Sequence, residues 1–449
     1  MRLSMDLGHT FGSLRLRDYR LLWLGQFGTN MGQWMDQVTR GWLIYQLTGS
    51  ALQLGLATAL RGLPLLVCGV LAGAVADRSD RKVQLILAQV VNALLNVLLA
   101  TLVLLHRVQP WHVYVTGVLV GTVQAFQQPA RQTLLSDLVG ARQLLNALAL
   151  NAMAMNMARA LGPALAGILI VLTGTHGAYY VQAAMFVLAT LWTIQMVVPE
   201  RSPEAAAARR EPFWHSVTAG LAFVIWDRDI RTLMLLAHGP LTLGMSYMSL
   251  LPLFAKDVLH GGASMQGLLT TIIGMGSVLG SLWVAALQRR YSYGRTVVIG
   301  ALAFGVTLFG FAAAREIMMS SLCAFGMGLS VVLYQTQTQT LLQLLAPRHI
   351  RGRVMSIFLL NLGLVPLGTL LAGALAEHLG GPRALQIMSL AVLGVVLMVV
   401  LLTPRSRSSP IIPSGTRGAA WGRCRRRAST WRQGSPAPRQ PSALVPLER

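Results

Sequence analysis

The sequence predicts an all-α integral membrane protein with twelve transmembrane helices in two pseudo-symmetric six-helix bundles. Three observations lead to this fold class: the composition, the placement of the arginines and an internal repeat. Of the 449 residues, 54% are hydrophobic and 12% are charged, about half the charged share of a typical soluble domain. A helix needs about 20 apolar residues to cross a bilayer, so the chain is long enough for twelve spans.

Hydrophobic runs bounded by charged residues, glycine or proline mark the helices. In the first half we place them at 21–47, 52–76, 83–105, 111–128, 146–173 and 179–198. In the second half we place them at 233–255, 265–287, 296–314, 317–345, 354–379 and 384–402. The first and second predicted helices follow each other very closely, as do the ninth and tenth. The number of helices could therefore differ from twelve by one.

Basic residues alternate from loop to loop. Arginines crowd the loops that share a side with the N-terminus, for example at Arg78, Arg131, Arg289 and Arg351. The opposite loops hold few basic residues, namely Arg107, Lys256, Arg315 and Arg383. Because cytoplasmic loops are enriched in Lys and Arg, we predict that both termini are cytoplasmic.

An internal repeat divides the chain in two. Gln132-Thr-Leu-Leu recurs as Gln339-Thr-Leu-Leu, and Leu161-Gly recurs as Leu367-Gly at nearly the same offset. A polar segment between the halves is typical of a linker, and the C-terminal segment is rich in Arg, Pro, Ser and Gly, as in disordered tails. The predicted domains are an N-terminal six-helix bundle over 1–198, a cytoplasmic linker over 199–215, a C-terminal six-helix bundle over 216–403 and a disordered basic cytoplasmic tail over 404–449.

Several function classes are excluded. The net charge of +22 first suggests nucleic acid, but so hydrophobic a chain would be insoluble, and its basic residues do not gather on one face. An ATP-driven pump needs Gly-Lys-Ser or Gly-Lys-Thr, and neither Lys82 nor Lys256 follows a glycine. The acids are scattered over loops and the three cysteines form no framework, so we expect no enzyme, no cofactor and no metal.

The most specific motif lies between the second and third predicted helices. It reads Gly73-Ala-Val-Ala-Asp77-Arg78-Ser-Asp80-Arg81-Lys82. Gly69 and Gly73, four residues apart, let two helices approach closely. Asp77 at the membrane edge can bind a cation or the N-terminus of a facing helix. We expect this contact to close the cytoplasmic side of the protein and to break when that side opens.

A second motif lies in the fifth predicted helix. It reads Arg159-Ala-Leu-Gly162-Pro163-Ala-Leu-Ala-Gly167. Pro163 removes one backbone donor and bends the helix, while the small residues admit another helix, for which we expect Gly274, Gly276 and Gly280 of the eighth helix as partners. The alternative is a general Gly-Pro kink of the kind that membrane helices tolerate.

Both motifs resemble elements of the major facilitator superfamily. The first resembles its signature loop, Gly-x-Leu-Ala-Asp-Arg-x-Gly-Arg-Lys, with Asp80 where the family usually has glycine. The second resembles the Gly-Pro-x-x-Gly-Gly element of its exporters. Pro129-Ala-Arg131-Gln and Arg351-Gly-Arg353-Val are similar to the enterobactin-exporter-like branch, also called transmembrane secretion effectors. The resemblance covers roughly residues 13–403 and implies proton-driven export of a siderophore-like or drug-like small molecule from a bacterial cytoplasm by alternating access.

Charged residues inside predicted spans are costly and therefore mark candidate sites. Asp36 and Arg40, four apart on the first helix, can pair with each other, and Arg61 and Arg159 lie in the second and fifth helices. Asp36 either forms a structural pair or takes up and releases the coupling proton. His238 is a weaker candidate, more consistent with a hydrogen-bonded interior histidine. The arginine excess leaves the cavity net positive, which would suit an anionic substrate.

We therefore expect a monomeric, multi-pass transporter in the bacterial cytoplasmic (inner) membrane. Its expected partners are the lipid bilayer, protons and a small-molecule substrate, and not nucleic acid. The alternative is an importer or facilitator of a small organic solute with the same fold. The polar residues that we expect to line the cavity are Gln26, Asn30, Asn92, Asn96, Asn156, Gln335, Gln339 and Asn361.

Overall fold

The computed structural model describes most of the chain. The described residues are 12–78, 80–198, 224–225, 227–287, 293–346, 354–355, 357–358 and 361–402. They form helices and no β-strand. The predicted linker over 199–215 and the predicted tail over 404–449 lie outside the described residues.

The described part of the N-terminal half starts with a short 3₁₀ helix at Gly12–Arg15. Its long helices are α1 (Arg17–Thr48), α2 (Ala51–Arg78), α3 (Arg81–Leu104) and α4 (Pro110–Gln195). Gly140 and Gly174 interrupt α4 with φ of 63° and 74°, a left-handed conformation that glycine adopts without steric cost. They divide α4 into three stretches, α4a (110–139), α4b (141–173) and α4c (175–195).

The C-terminal half continues the same pattern. Its elements are α5 (Arg228–Gly244), α6 (Tyr247–Leu253), a π-helical turn (Phe254–Val258), α7 (Gly262–Leu287), α8 (Tyr293–Ala313), α9 (Ile317–Leu345), α10 (Asn361–Leu379) and α11 (Gly381–Leu402). With α5 through the π turn taken as one span, each of the twelve predicted spans contains a described helical segment. By length and composition alone, six of the described helices are apolar and long enough to cross a membrane.

The turns between consecutive helices define two opposite ends of the bundle. The Gly49 end holds the α1–α2 turn at Gly49 and the α10–α11 turn at Gly380, and the Asp80 end holds the α2–α3 turn. Contacts at the Asp80 end show that α4 reverses at its glycines. There Arg81 pairs with Asp137, before the first reversal, and the Lys82 ammonium donates to Ile194 O after the second, at 2.8 Å.

Glycines hold the two halves together near the Gly49 end. A Cβ added to Gly267 of α7 would lie 3.1 Å from the Cα of Gly167 in α4b, and one added to Gly373 of α10 would lie 3.1 Å from the Cα of Gly55 in α2. These distances leave no room for side chains, so backbones pack directly on backbones. The two contacts are related by the pseudo-symmetry of the halves.

The fourth helix departs from its predicted bounds. We expected it to end at Gln128, with Arg131 in a cytoplasmic loop, but α4a continues through Pro129 and reaches 139. The prediction of a loop there is wrong. Pro129 has no N–H to donate to the carbonyl of Ala125, but a membrane helix tolerates such an internal proline where neighbouring groups compensate. Arg131 is consequently buried inside the bundle.

Candidate functional site

A cavity of about 340 Å³ lies between the two halves. Helices α1, α2 and α4a supply most of its wall. The remainder comes from Met155 of α4b, Met248 and Ser249 of α6, and Val365 and Pro366 of α10. Its polar lining consists of Asn30, Gln33, Gln37, Arg40, Thr58, Arg61, Gln124, Gln128, Arg131 and Ser249. Ligand sites typically have this size and this mixture of apolar wall and placed polar groups.

Asp36 lies behind this wall and binds two arginines. Its Oδ1 is 3.0 Å from Arg40 Nη2, and its Oδ2 accepts from Arg40 Nε at 3.2 Å. Arg61 reaches across from α2 and brings its Nη1 within 3.0 Å of the same Oδ2. Asp36 is 4% exposed. The pairing of Asp36 with Arg40 that the sequence indicates is present, and the second partner leaves the cluster with a net positive charge.

Helix α4a gives these arginines their positions. Gly121 allows α4a to touch the backbone of α2, since an added Cβ would lie 2.0 Å from Arg61 O. Arg40 Nη1 donates to Val113 O and to the Thr116 hydroxyl, both at 2.9 Å. The Arg40 guanidinium therefore binds a carboxylate, a backbone carbonyl and a hydroxyl of the protein. The described ion-pair partner of Arg61 is Asp36.

Arg131 forms a second basic group in the cavity wall. It is 7% exposed, and it donates to Asn30 Oδ1 at 3.2 Å and to Gln128 Oε1 at 3.0 Å. Among the described residues no carboxylate lies within ion-pair distance of it. Sequence reasoning missed this residue because it counted Arg131 among the loop arginines. The spacing of Gln124, Gln128 and Arg131 along one helix face was the signal that could have identified it.

The motif of the fifth predicted helix packs α4b against two neighbours. The Arg159 guanidinium lies 5.4 Å from the centre of the Trp34 ring in α1. A Cβ on Gly162 would lie 2.8 Å from Trp34 Cβ, and one on Gly167 would lie 3.1 Å from Ala263 O in α7. The chain stays helical through Pro163. The motif thus brings α1 and α7 close to α4b.

The expected partners on the eighth span are correct in part. Gly274 meets α4b as expected, because a Cβ there would lie 3.1 Å from Ala160 Cα. The expectation for Gly276 and Gly280 is wrong, since they meet the backbone of α9 at Phe325 and Leu329. Glycines two and six residues from Gly274 point to other sides of the helix.

The loop motif lies at the Asp80 end. Four of its residues lie within α2, namely Gly69, Gly73, Asp77 and Arg78. The structure does not describe the surroundings of these four residues. Asp80, where the family usually has glycine, caps α3 by accepting from the backbone N–H of Lys82 at 2.8 Å and of Val83 at 3.4 Å. Aspartate is a favoured N-cap. The Arg81 partner, Asp137, was not anticipated from the sequence.

Most of the remaining described candidates lie away from the cavity wall. His238 Nδ1 is 2.8 Å from Met234 O on its own helix, and it is not part of the cavity wall. Of the polar residues expected to line the cavity, Asn30 does so. Asn92 and Asn96 instead donate to carbonyl groups one turn back on α3. The structure does not describe the side chain of Asn361.

Solved structures identify the fold. The nucleoside transporter NupG has a TM-score of 0.70 at 14% identity, over 86% of this chain and 99% of that one. A bacterial homolog of the human lysosomal transporter Spinster, in an inward-facing and occupied conformation, also has a TM-score of 0.70, at 14% identity over 86% and 96%. The chain therefore has the major facilitator fold, with its helices in two six-helix bundles.

The family follows from the sequence comparison. A family model described as transmembrane secretion effector matches residues 8–416, and the chain belongs to that family. The staphyloferrin A transporter of Staphylococcus aureus is 23% identical, over 82% of this chain and 92% of that protein. The multidrug efflux pump Tap of Mycolicibacterium fortuitum is 28% identical over 82% and 90%. The enterobactin exporter EntS of Citrobacter koseri is 24% identical over 83% and 89%.

Proposed function

We propose that this protein is a proton-coupled exporter of a small molecule, siderophore-like or drug-like, that works as a monomer by alternating access. We place it in the bacterial cytoplasmic membrane with both termini in the cytoplasm, so that the Gly49 end faces outward. The observation that carries the proposal is a polar, basic cavity whose flanking helices meet at the Gly49 end. The efflux proteins among its relatives support export.

The contacts at the Gly49 end support a closed outer side. Besides the glycine pairs, the Tyr45 hydroxyl donates to the Asp257 carboxylate, joining α1 to the C-terminal half. Lys256 lies 5.4 Å from the centre of the Tyr45 ring. Glu377 of α10 binds the start of α2 through Leu52 N–H. In this proposal all of these contacts break when the protein opens outward, and the motif around Asp77 then closes the cytoplasmic side.

The charge of the cavity supports an anionic substrate. Arg40, Arg61 and Arg131 line it, and the described residues of its wall include no acid. Asp36 lies just behind the wall and offsets one of these charges. Because few water molecules compete inside such a site, the remaining positive charge attracts an anion more strongly than it would at the surface.

We assign the coupling proton to Asp36. A charged Asp36 binds Arg61 and thereby joins α1 to α2, and a protonated Asp36 would attract neither arginine strongly. Uptake of a proton from outside and its release inside would therefore alter this link in step with the movement of the two halves. A ligand or proton shifts such an equilibrium only through different affinity for its two states.

Transport in membrane vesicles tests the proposal. Everted vesicles that contain the protein should accumulate a radiolabelled macrolide or labelled enterobactin when a proton gradient is imposed. A protonophore should abolish the accumulation, and vesicles with Asp36→Asn should not accumulate the label. Accumulation in right-side-out vesicles instead would favour the importer, and gradient-independent equilibration would favour the facilitator.

A further inference from the structure

Arg131 is the cavity-lining arginine that has no ion-pair partner among the described residues. Arg40 donates to Asp36, Val113 and Thr116, and Arg61 is paired with Asp36. Arg131 has two neutral partners, the side-chain oxygens of Asn30 and Gln128. A guanidinium carries more N–H donors than these two bonds use. Burying an unpaired charge is costly, so this arrangement needs a reason.

The neighbours of Arg131 have capacity to spare as well. The Asn30 amide nitrogen is buried and has no hydrogen-bond partner among the described residues. Asn30 itself is 3% exposed, and both Asn30 and Arg131 line the cavity. A buried donor without a partner costs free energy. The amide of Asn30 and the guanidinium of Arg131 thus form a pair of adjacent donors at one place in the cavity wall.

We propose that Arg131, with Asn30 and Gln128, forms an anion-binding subsite that holds a carboxylate of the transported molecule. A carboxylate presents two acceptor oxygens in one plane, which match the donor geometry of a guanidinium. Gln128 and Asn30 fix the orientation of the guanidinium through their oxygens. This inference rests on the proposed transport of a small molecule and specifies the chemical group by which the cavity recognises it.

The subsite is separate from the Asp36 cluster. Its arginine lies in the part of α4a beyond Gln128, and its partner Asn30 lies on α1 six residues before Asp36. Residues six positions apart on one α-helix are about 9 Å apart along its axis. A ligand can therefore bind Arg131 without displacing Asp36 from Arg61.

Ligand-induced thermal stabilisation of the purified full-length protein tests the subsite without any gradient. The probes are 2,3-dihydroxybenzoic acid and its methyl ester, which differ in charge but little in size. We expect the acid to raise the melting temperature and the ester to have a much smaller effect. Arg131→Gln should weaken binding of the acid roughly 10- to 100-fold, the loss expected for charge-assisted hydrogen bonds. The matched control is Arg107→Gln, an exposed arginine at the Gly49 end.

A second variant covers the case in which Arg131→Gln folds poorly. Asn30→Asp places a carboxylate beside Arg131 Nη1, where the present oxygen lies at 3.2 Å. It should leave the melting temperature of the free protein unchanged or higher and abolish stabilisation by the acid. The inference is overturned if the ester stabilises as well as the acid, if the acid has no effect on the wild type, or if Asn30→Asp still responds to it. Failed export with intact acid binding would count against the proposed function alone.

Discussion

The carboxylate of Glu377, in α10, accepts a hydrogen bond from the backbone N–H of Leu52, in the first turn of α2, at 3.1 Å. The Ser50 hydroxyl donates to the same oxygen at 2.9 Å. The first N–H groups of a helix lack partners within it and favour a negative charge. The C-terminal half therefore caps a helix of the N-terminal half, and separation of the halves at this end would remove the cap.

Glu377→Ala should increase the population that is open at the Gly49 end. Loss of a helix cap costs about 0.5–2 kcal/mol, which corresponds to a change of roughly 2- to 30-fold between the two states. Pulsed electron paramagnetic resonance would measure the distance between spin labels at positions 107 and 383, which is short in the closed state and long in the open state. Glu316→Ala is the matched control, because Glu316 precedes α9 and its side chain makes no cap bond. Equal populations in both variants would contradict the role of Glu377.

Gly267→Ala and Gly55→Ala should each favour the same open state. An added methyl group would lie 2.7 Å from Pro163 O in the first variant and 2.6 Å from Thr369 O in the second. Both obstacles are backbone atoms, so the helices themselves must move apart. The same spin-label distance should lengthen in both, whereas Gly394→Ala, which meets nothing within 4 Å, should leave it unchanged.

Replacement of Asp36 should separate its two possible roles. Asp36→Asn leaves Arg40 and Arg61 without their acid and should destabilise the protein by about 3–5 kcal/mol, as when one member of a buried pair is removed. Asp36→Asn with Arg61→Gln restores the charge balance, and so does Asp36→Asn with Arg40→Gln. We expect both double variants to regain thermal stability but not uphill export in vesicles. Protonophore-sensitive export by either double variant would rule out Asp36 as the proton carrier.

Cysteine labelling should establish the orientation of the chain. His260 lies in the turn before α7 at the Gly49 end, and Arg295 lies at the start of α8 near the opposite end. With the basic loops inside, a cysteine at 260 should react with an impermeant thiol reagent in intact cells. A cysteine at 295 should react only after permeabilisation. The reverse pattern would invert the proposed direction of transport.

Hydropathy predicts the helices well because the bilayer sets their length. The predicted 317–345 coincides with α9, and most other bounds differ by a few residues. The fourth helix was the main exception. Its polar face of Gln124, Gln128 and Arg131 lowers the hydropathy of a segment that faces a cavity rather than lipid, so the pattern indicated a loop.

Long-range contacts were beyond the sequence alone. The motif indicated that Gly167 admits another helix, but nothing in the pattern assigned Gly267 as its partner. Arg61 was identified as a charged residue in a span, yet its distance to Asp36 depends on how α2 packs on α1 and α4a. The Glu377 contact joins positions far apart in the chain, and only folding brings them together.

The size of the cavity sets a limit on its contents. At about 30 Å³ for each water molecule in the liquid, a volume of about 340 Å³ corresponds to on the order of ten waters. A ligand larger than this must either extend out of the open side of the cavity or widen the space between the halves. If a bulky substrate is wholly enclosed, the act of loading itself pushes the two halves apart, and displaced solvent contributes to the free energy of that step.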